Sequence, residues 1–94
     1  MKALTSTEIA DFLSHEPRWI LADGQLVREW QFKDFVAAME FVNRVAAMAE
    51  DAGHHPDIDI RYNRVRLGLV THDAGGVTPL DASMAARFSH QFPA

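Results

Sequence analysis

Cysteine is absent from the chain, which removes disulfides, thiolate nucleophiles and Cys-ligated zinc together. Positive charge is in deficit. Nine Lys and Arg stand against 13 Asp and Glu, a formal net charge of −4, so wholesale binding to a nucleic-acid backbone is not expected. No apolar run approaches the ~20 residues of a membrane span, and the N-terminus lacks the apolar core of a signal peptide. Neither nucleic acid nor membrane is therefore an expected partner, and a cytoplasmic location is the default. What is present is ordinary for a globular chain: 94 residues, 48% hydrophobic and 23% charged, read as one domain over 1–94. A domain this small buries only roughly two-thirds of its unfolded surface, so further burial in an oligomer would help.

Local patterns give the order of elements. Thr5 and Glu8 have the spacing of a capping box, and Ile9, Phe12 and Leu13 recur at helical spacing until Pro17. Trp19-Ile20-Leu21 and Leu26–Phe32 are rich in strand formers, with the turn signal Asp23-Gly24 between them. A long helix is expected from about Lys33 to Ala52. Phe35, Met39, Val42, Ala46 and Ala49 form one apolar stripe on it, Phe41, Val45 and Met48 form a second, and Gly53 ends it. Ile58, Ile60 and Tyr62, then Val65, Leu67 and Leu69, alternate with polar residues at period two. A hairpin pairing Tyr62 with Val65, Ile60 with Leu67 and Ile58 with Leu69 sets every apolar residue against another. Thr78-Pro79 opens a last helix whose buried side is Ala85, Phe88 and Phe92. The expected fold is α+β: a four-stranded antiparallel sheet with helices packed on one face, in the order α-β-β-α-β-β-α.

Three of the five histidines converge in that arrangement. Extending the hairpin outward puts His55 opposite His72 and His54 opposite Asp73, with His55 and His72 turned from the core towards the open sheet face. Pro56 stands where the pairing would break. Solvated strand ends are one explanation of such residues. A histidine-only zinc site is disfavoured, because adjacent histidines on an extended chain point to opposite sides. Gly75-Gly76 reads as a flexible turn, and Asp81 as the cap partner of Thr78. Arg61, Arg64 and Arg66 read as a solvated basic stripe. Glu50 lies in the last turn of the long helix, where a negative charge opposes the helix dipole, a local conflict that a functional role would explain.

Taken in order, Glu50-x3-His54-His55-Pro56-x5-Tyr62-x9-His72-x8-Asp81 resembles the signature of the pterin-4a-carbinolamine dehydratases. The flanking Trp30-Gln31-Phe32-Lys33-Asp34-Phe35 and Thr71-His72-Asp73-Ala74-Gly75-Gly76-Val77-Thr78 are similar to that family too, and the likeness runs from about Trp19 to Phe88. The resemblance implies dehydration of 4a-hydroxytetrahydropterin to quinonoid dihydropterin, in recycling of the cofactor of aromatic amino-acid hydroxylases. It implies no metal and no added cofactor. It implies catalytic His54, His55 and His72, with His54 and His72 moving protons and His55 holding the substrate. It implies pterin-binding Glu50, Pro56, Thr71, Asp73 and Ala74, the stretch from Thr71 to Ala74 through its backbone, and Trp19 stacking at the pocket rim, with a core or interface place as the equal alternative for that indole. Gly53 and Leu80 depart from the family, at positions where an Asp and a charged residue are usual. The same resemblance implies a homo-oligomer, dimer or tetramer. It also leaves two rival functions: a coactivator-type dimerisation module docking through a helical surface such as Phe41-Val45-Met48, and action on a different pterin.

Overall fold

The computed structural model describes residues 1–93 and has the expected element order. Helix α1 (Ser6–His15) is followed by β1 (Ile20–Ala22), β2 (Gln25–Gln31), α2 (Phe35–Ala52), β3 (Asp57–Arg61), β4 (Arg64–Leu69) and α3 (Pro79–Gln91). The sheet is antiparallel in the order β1-β2-β4-β3. Asp23 and Gly24 both take positive φ (52° and 76°), the conformation a two-residue hairpin loop demands and Asp-Gly supplies. Both capping boxes form, Thr5 with Glu8 and Thr78 with Asp81, the second with Pro79 in the first turn.

The β3–β4 register differs from the sequence expectation. Arg61 pairs with Arg64, Ile60 with Val65, Ile58 with Leu67 and Asp57 with Gly68, a displacement of two residues. A shift of two leaves every side chain on its own face, so the apolar alternation is equally satisfied by either register. The turn decides it. Tyr62 and Asn63 form the loop, Tyr62 at φ 53°, and Asn63 is fastened to the end of β2. Its side-chain amide donates to the Phe32 carbonyl at 2.8 Å while the Phe32 amide donates to the Asn63 carbonyl at 2.8 Å. The observed register also sets Asp59 against Arg66, an opposite-charge pair that the other lacks. Gly68 leaves room for the Gln25 side chain crossing to Asp57, and a Cβ there would displace its end.

The core lies between the sheet and the helices. Leu26 and Trp30 of β2 with Val65, Leu67 and Leu69 of β4 meet Ala38, Val42, Val45 and Ala49 of α2 and Met84, Ala85 and Phe88 of α3. An aromatic chain runs through it: Trp19 edge-on to Trp30, Trp30 against Phe41, Phe41 edge-on to Phe92. Phe41 and Val45 are thus internal, so the second apolar stripe is not the surface that the rival coactivator reading needs. Its residues face the core because α2 is covered by α3 and by the aromatic cluster as well as by the sheet. Arg28 is buried on the same face, stacked on Trp30 at 4.2 Å and donating to Ser89 and to the carbonyls that end α3.

Candidate active site

The candidate site lies at the end of the β3–β4 hairpin, where α2 enters β3 and β4 leaves towards α3. Helix α2 stops at Gly53, which takes a left-handed φ of 68°. The Gly53 amide donates to the Glu50 carbonyl and the His54 amide to the Ala49 carbonyl, the paired bonds of a Schellman motif. Glycine at position 53 suits that left-handed turn, and the motif fixes the backbone from which His54 and His55 project. Pro56 has no amide to donate, and the ladder begins only at Asp57. On the other side, β4 ends at Leu69 and the chain folds into a 3-10 turn over His72–Ala74. Thr71 closes this loop against Gly76: its amide donates to the Gly76 carbonyl at 3.0 Å, and its own carbonyl accepts from Ala74 and Gly76.

Because the ladder ends at Asp57 and is displaced by two residues, His55 does not oppose His72, and neither sits on the open sheet face. The three histidines meet instead in a cleft of about 360 Å³ lined by Gly53, His54, His55, Val70, Thr71, His72 and Asp73. A larger groove of about 750 Å³ runs between α2 and α3, with Arg44, Arg87 and His90 over Met48 and Phe92. The groove's size does not make it the site: the smaller cleft gathers the acid–base groups.

Each histidine has a different setting. His54 Nε2 lies 2.5 Å from Asp81 Oδ1; the His54 side chain is 15% exposed and that of Asp81 is fully buried. The carboxylate also accepts on Oδ2 from the Thr71 hydroxyl at 2.8 Å and the Thr78 amide at 2.8 Å, with the Thr78 hydroxyl oxygen 3.4 Å away. A carboxylate can only accept, so the neutral His54 ring carries its proton on Nε2. Nδ1 has no protein partner among the described residues and remains the basic nitrogen. His55 Nε2 meets Glu50 Oε1 at 2.7 Å, but this pair is open to solvent, with side chains 63% and 81% exposed. The Glu50 charge that conflicts with the dipole of α2 is therefore matched to the histidine just beyond the helix. His72 is exposed on the 3-10 turn and makes no side-chain hydrogen bond among the described residues.

Of the other expected site residues, Thr71 and Asp73 line the cleft, and Glu50 reaches it through His55. Pro56 and Ala74 do not line it. Thr71 and Ala74 commit their amides inside the loop, so neither amide is free to bind a heterocycle. Trp19 stands corrected. It is 2% exposed, its ring edge against Trp30 and its indole N–H donating to Ser89 at 2.8 Å, a core position without a free face for stacking. Two residues were not assigned to the site: Val70, which has no chemical signature, and Asp81, which closes the family motif but was given the role of a helix cap. The Thr78–Asp81 spacing was the available signal, since a capping carboxylate keeps a second oxygen free for another donor.

A buried carboxylate on one imidazole, an exposed carboxylate on its neighbour and a third imidazole in the same cleft gather groups capable of acid–base chemistry at one end of an α+β layer. The family model for pterin 4 alpha carbinolamine dehydratase matches residues 2–91, and the chain belongs to that family. It is 60% identical over 86 residues to a provisionally named pterin-4-alpha-carbinolamine dehydratase of Acidobacterium capsulatum, covering 92% of this chain and 94% of the relative. It is 55% identical over 86 residues to a similarly named protein of Chloroflexus aurantiacus, covering 92% of each. Among solved structures it resembles a transcriptional coactivator/pterin dehydratase from Brucella melitensis, with a TM-score of 0.87 at 37% identity, over 95% of this chain and 97% of that one.

Proposed function

We propose that this protein dehydrates a 4a-hydroxytetrahydropterin to the quinonoid dihydropterin by histidine acid–base catalysis. The observation that carries the reading is the His54–Asp81 pair in a cleft shared with His55 and His72. The reaction breaks the C4a–O bond, delivers one proton to the departing hydroxyl to give water, and removes one proton from a ring nitrogen. An acid and a base must therefore act on one substrate, and imidazole, with an unperturbed pKa of ~6.5, serves either role near neutrality.

His54 is the base. Its Nδ1 lone pair takes the ring proton, and Asp81 gives the resulting imidazolium a buried counter-ion while holding the ring plane. His72, exposed and unpartnered, exchanges protons with solvent and serves as the acid towards the leaving oxygen. His55, braced by Glu50, holds the substrate, and Asp73 and Thr71 form the adjoining wall of the cleft. No added cofactor enters this scheme.

The reading carries with it a role in recycling tetrahydrobiopterin for an aromatic amino-acid hydroxylase, a cytoplasmic location and a homo-oligomer. Exposed Ile20, Leu21, Phe35 and Val36 support self-association. Among the described residues no helix is long and apolar enough to cross a membrane. The coactivator alternative loses the apolar line on which it rested, since Phe41 and Val45 are buried in the chain's own core.

The test is stopped-flow mixing with freshly prepared 4a-hydroxytetrahydropterin, with and without chelator, following the quinonoid product by absorbance. Acceleration that withstands chelator and falls by roughly 10²–10⁴ in His72→Ala, the worth of one positioned acid, is the expected result. Folded protein that gives no acceleration over buffer would refute the assignment.

A further inference from the structure

Thr71 stands between two of the three histidines. Its main chain closes the loop that carries His72, with the amide and carbonyl both bonded across to Gly76. Its side chain turns the other way, into the network under His54. The Thr71 hydroxyl donates to Asp81 Oδ2 at 2.8 Å and lies 2.8 Å from the Thr78 hydroxyl. Each hydroxyl has a single proton, so the order of donors can be assigned. Thr71 uses its proton on Asp81, hence Thr78 donates to Thr71. The Thr78 oxygen in turn accepts from the Leu80 amide at 3.2 Å.

Two short bonds, from the Thr71 hydroxyl and the Thr78 amide, therefore bear on Oδ2, and Oδ1 is left to His54 alone. Asp81 is fully buried, so no solvent competes for either oxygen. The carboxylate plane, and with it the direction in which His54 Nε2–H must point, depends on the Thr71 hydroxyl.

We infer that Thr71 is a positioning residue for His54, acting through Asp81 to hold the ring in the Nε2–H tautomer with Nδ1 facing the cleft, and does not bind the substrate through its hydroxyl. This rests on the acid–base reading of the cleft. It goes beyond that reading in assigning the Thr71 side chain to the enzyme's own proton ordering.

The test compares Thr71→Val, which keeps the branched shape, with Thr71→Ser, which keeps the hydroxyl. Steady-state kinetics on 4a-hydroxytetrahydropterin are combined with ¹⁵N spectra of the His54 ring at alkaline pH, where the tautomer is read directly. In Thr71→Val, kcat should fall about tenfold with KM little changed. That is one hydrogen bond to a charged group, less what the Thr78 hydroxyl restores by turning to Oδ2. The His54 spectrum should shift from one tautomer to a mixture. Thr71→Ser should recover both. If Thr71→Val does not fold, Thr71→Ala carries the same expectations. A rise in KM alone would overturn the inference, as would a fall in kcat with the His54 tautomer unmoved, or no change in either. Should the wild-type protein show no dehydratase activity, the functional reading fails by itself, and the tautomer spectra still decide the role of Thr71.

Discussion

Asp81→Asn removes one charge and keeps the shape, and the structure dictates how the amide must sit. The Thr78 amide, 2.8 Å from Oδ2, is a donor that cannot reverse, so the carbonyl oxygen of the new amide has to occupy that side. Its NH2 group then takes the place of Oδ1 and points at His54 Nε2. Two donors cannot face each other. His54 must move its proton to Nδ1, and the nitrogen in the cleft changes from a lone pair to an N–H. A base locked in the wrong tautomer costs about 10⁴ in rate where this has been worked through, so kcat should fall by roughly 10³–10⁴. Stability should fall by much less. The carbonyl still caps α3, and the short bonds from Thr71 and Thr78 become neutral rather than charge-assisted, a loss of about 1 kcal/mol each and ~2 kcal/mol in all. Stopped-flow dehydration, thermal unfolding and ¹⁵N spectra of the His54 ring together read the three consequences. A variant with kcat within tenfold of wild type would refute the reasoning. So would a slow variant whose His54 still carries its proton on Nε2.

Three further predictions concern stability. His54→Ala leaves Asp81 Oδ1 without its donor in a site that is otherwise closed, a cost of about 1–3 kcal/mol, or on the order of 10 °C in Tm for a domain of this size. His55→Ala removes only a solvent-exposed pair with Glu50 and should move Tm by less than about 3 °C; equal losses in the two variants would count against the difference drawn between the carboxylates. Arg28→Met should be close to neutral or stabilising although Arg28 is buried. Burial, then the nearby Arg18, lowers its pKa, with Glu16 opposing, which marks a charge held at a cost. Its removal strands few acceptors: the Phe92 carbonyl keeps the Trp30 indole N–H at 3.0 Å, and Ser89 keeps that of Trp19 at 2.8 Å. Chemical denaturation showing a loss above about 2 kcal/mol would mean the guanidinium is a net stabiliser of the α3 end.

The parts of this protein legible in its sequence are those set by local chemistry. Both capping boxes, the Asp-Gly turn and the glycine that ends α2 were readable because each is a choice made by adjacent residues. The β3–β4 register was not, since period-two patterning returns to itself after two residues and the deciding bonds, from Asn63 to Phe32, join segments far apart in the chain. Trp19 was left between two readings for a related reason: an indole can serve a pocket rim or a core equally, and only its contacts with Trp30 and Ser89 distinguish them.

Asp81 shows the limit most clearly. Its spacing from Thr78 correctly announced a helix cap, and although the family motif ends on Asp81, the cap explanation was put first and left it without a role in the site. Yet the cap engages chiefly one oxygen. Oδ2 takes the Thr78 amide and, with it, the Thr71 hydroxyl, while Oδ1 is directed to a histidine that the Schellman motif at Gly53 has set in place. The same carboxylate starts α3 and orients the base. Substitution at Asp81 therefore cannot be sorted into folding or catalysis by stability alone, and the tautomer of His54 is the observable that separates the two.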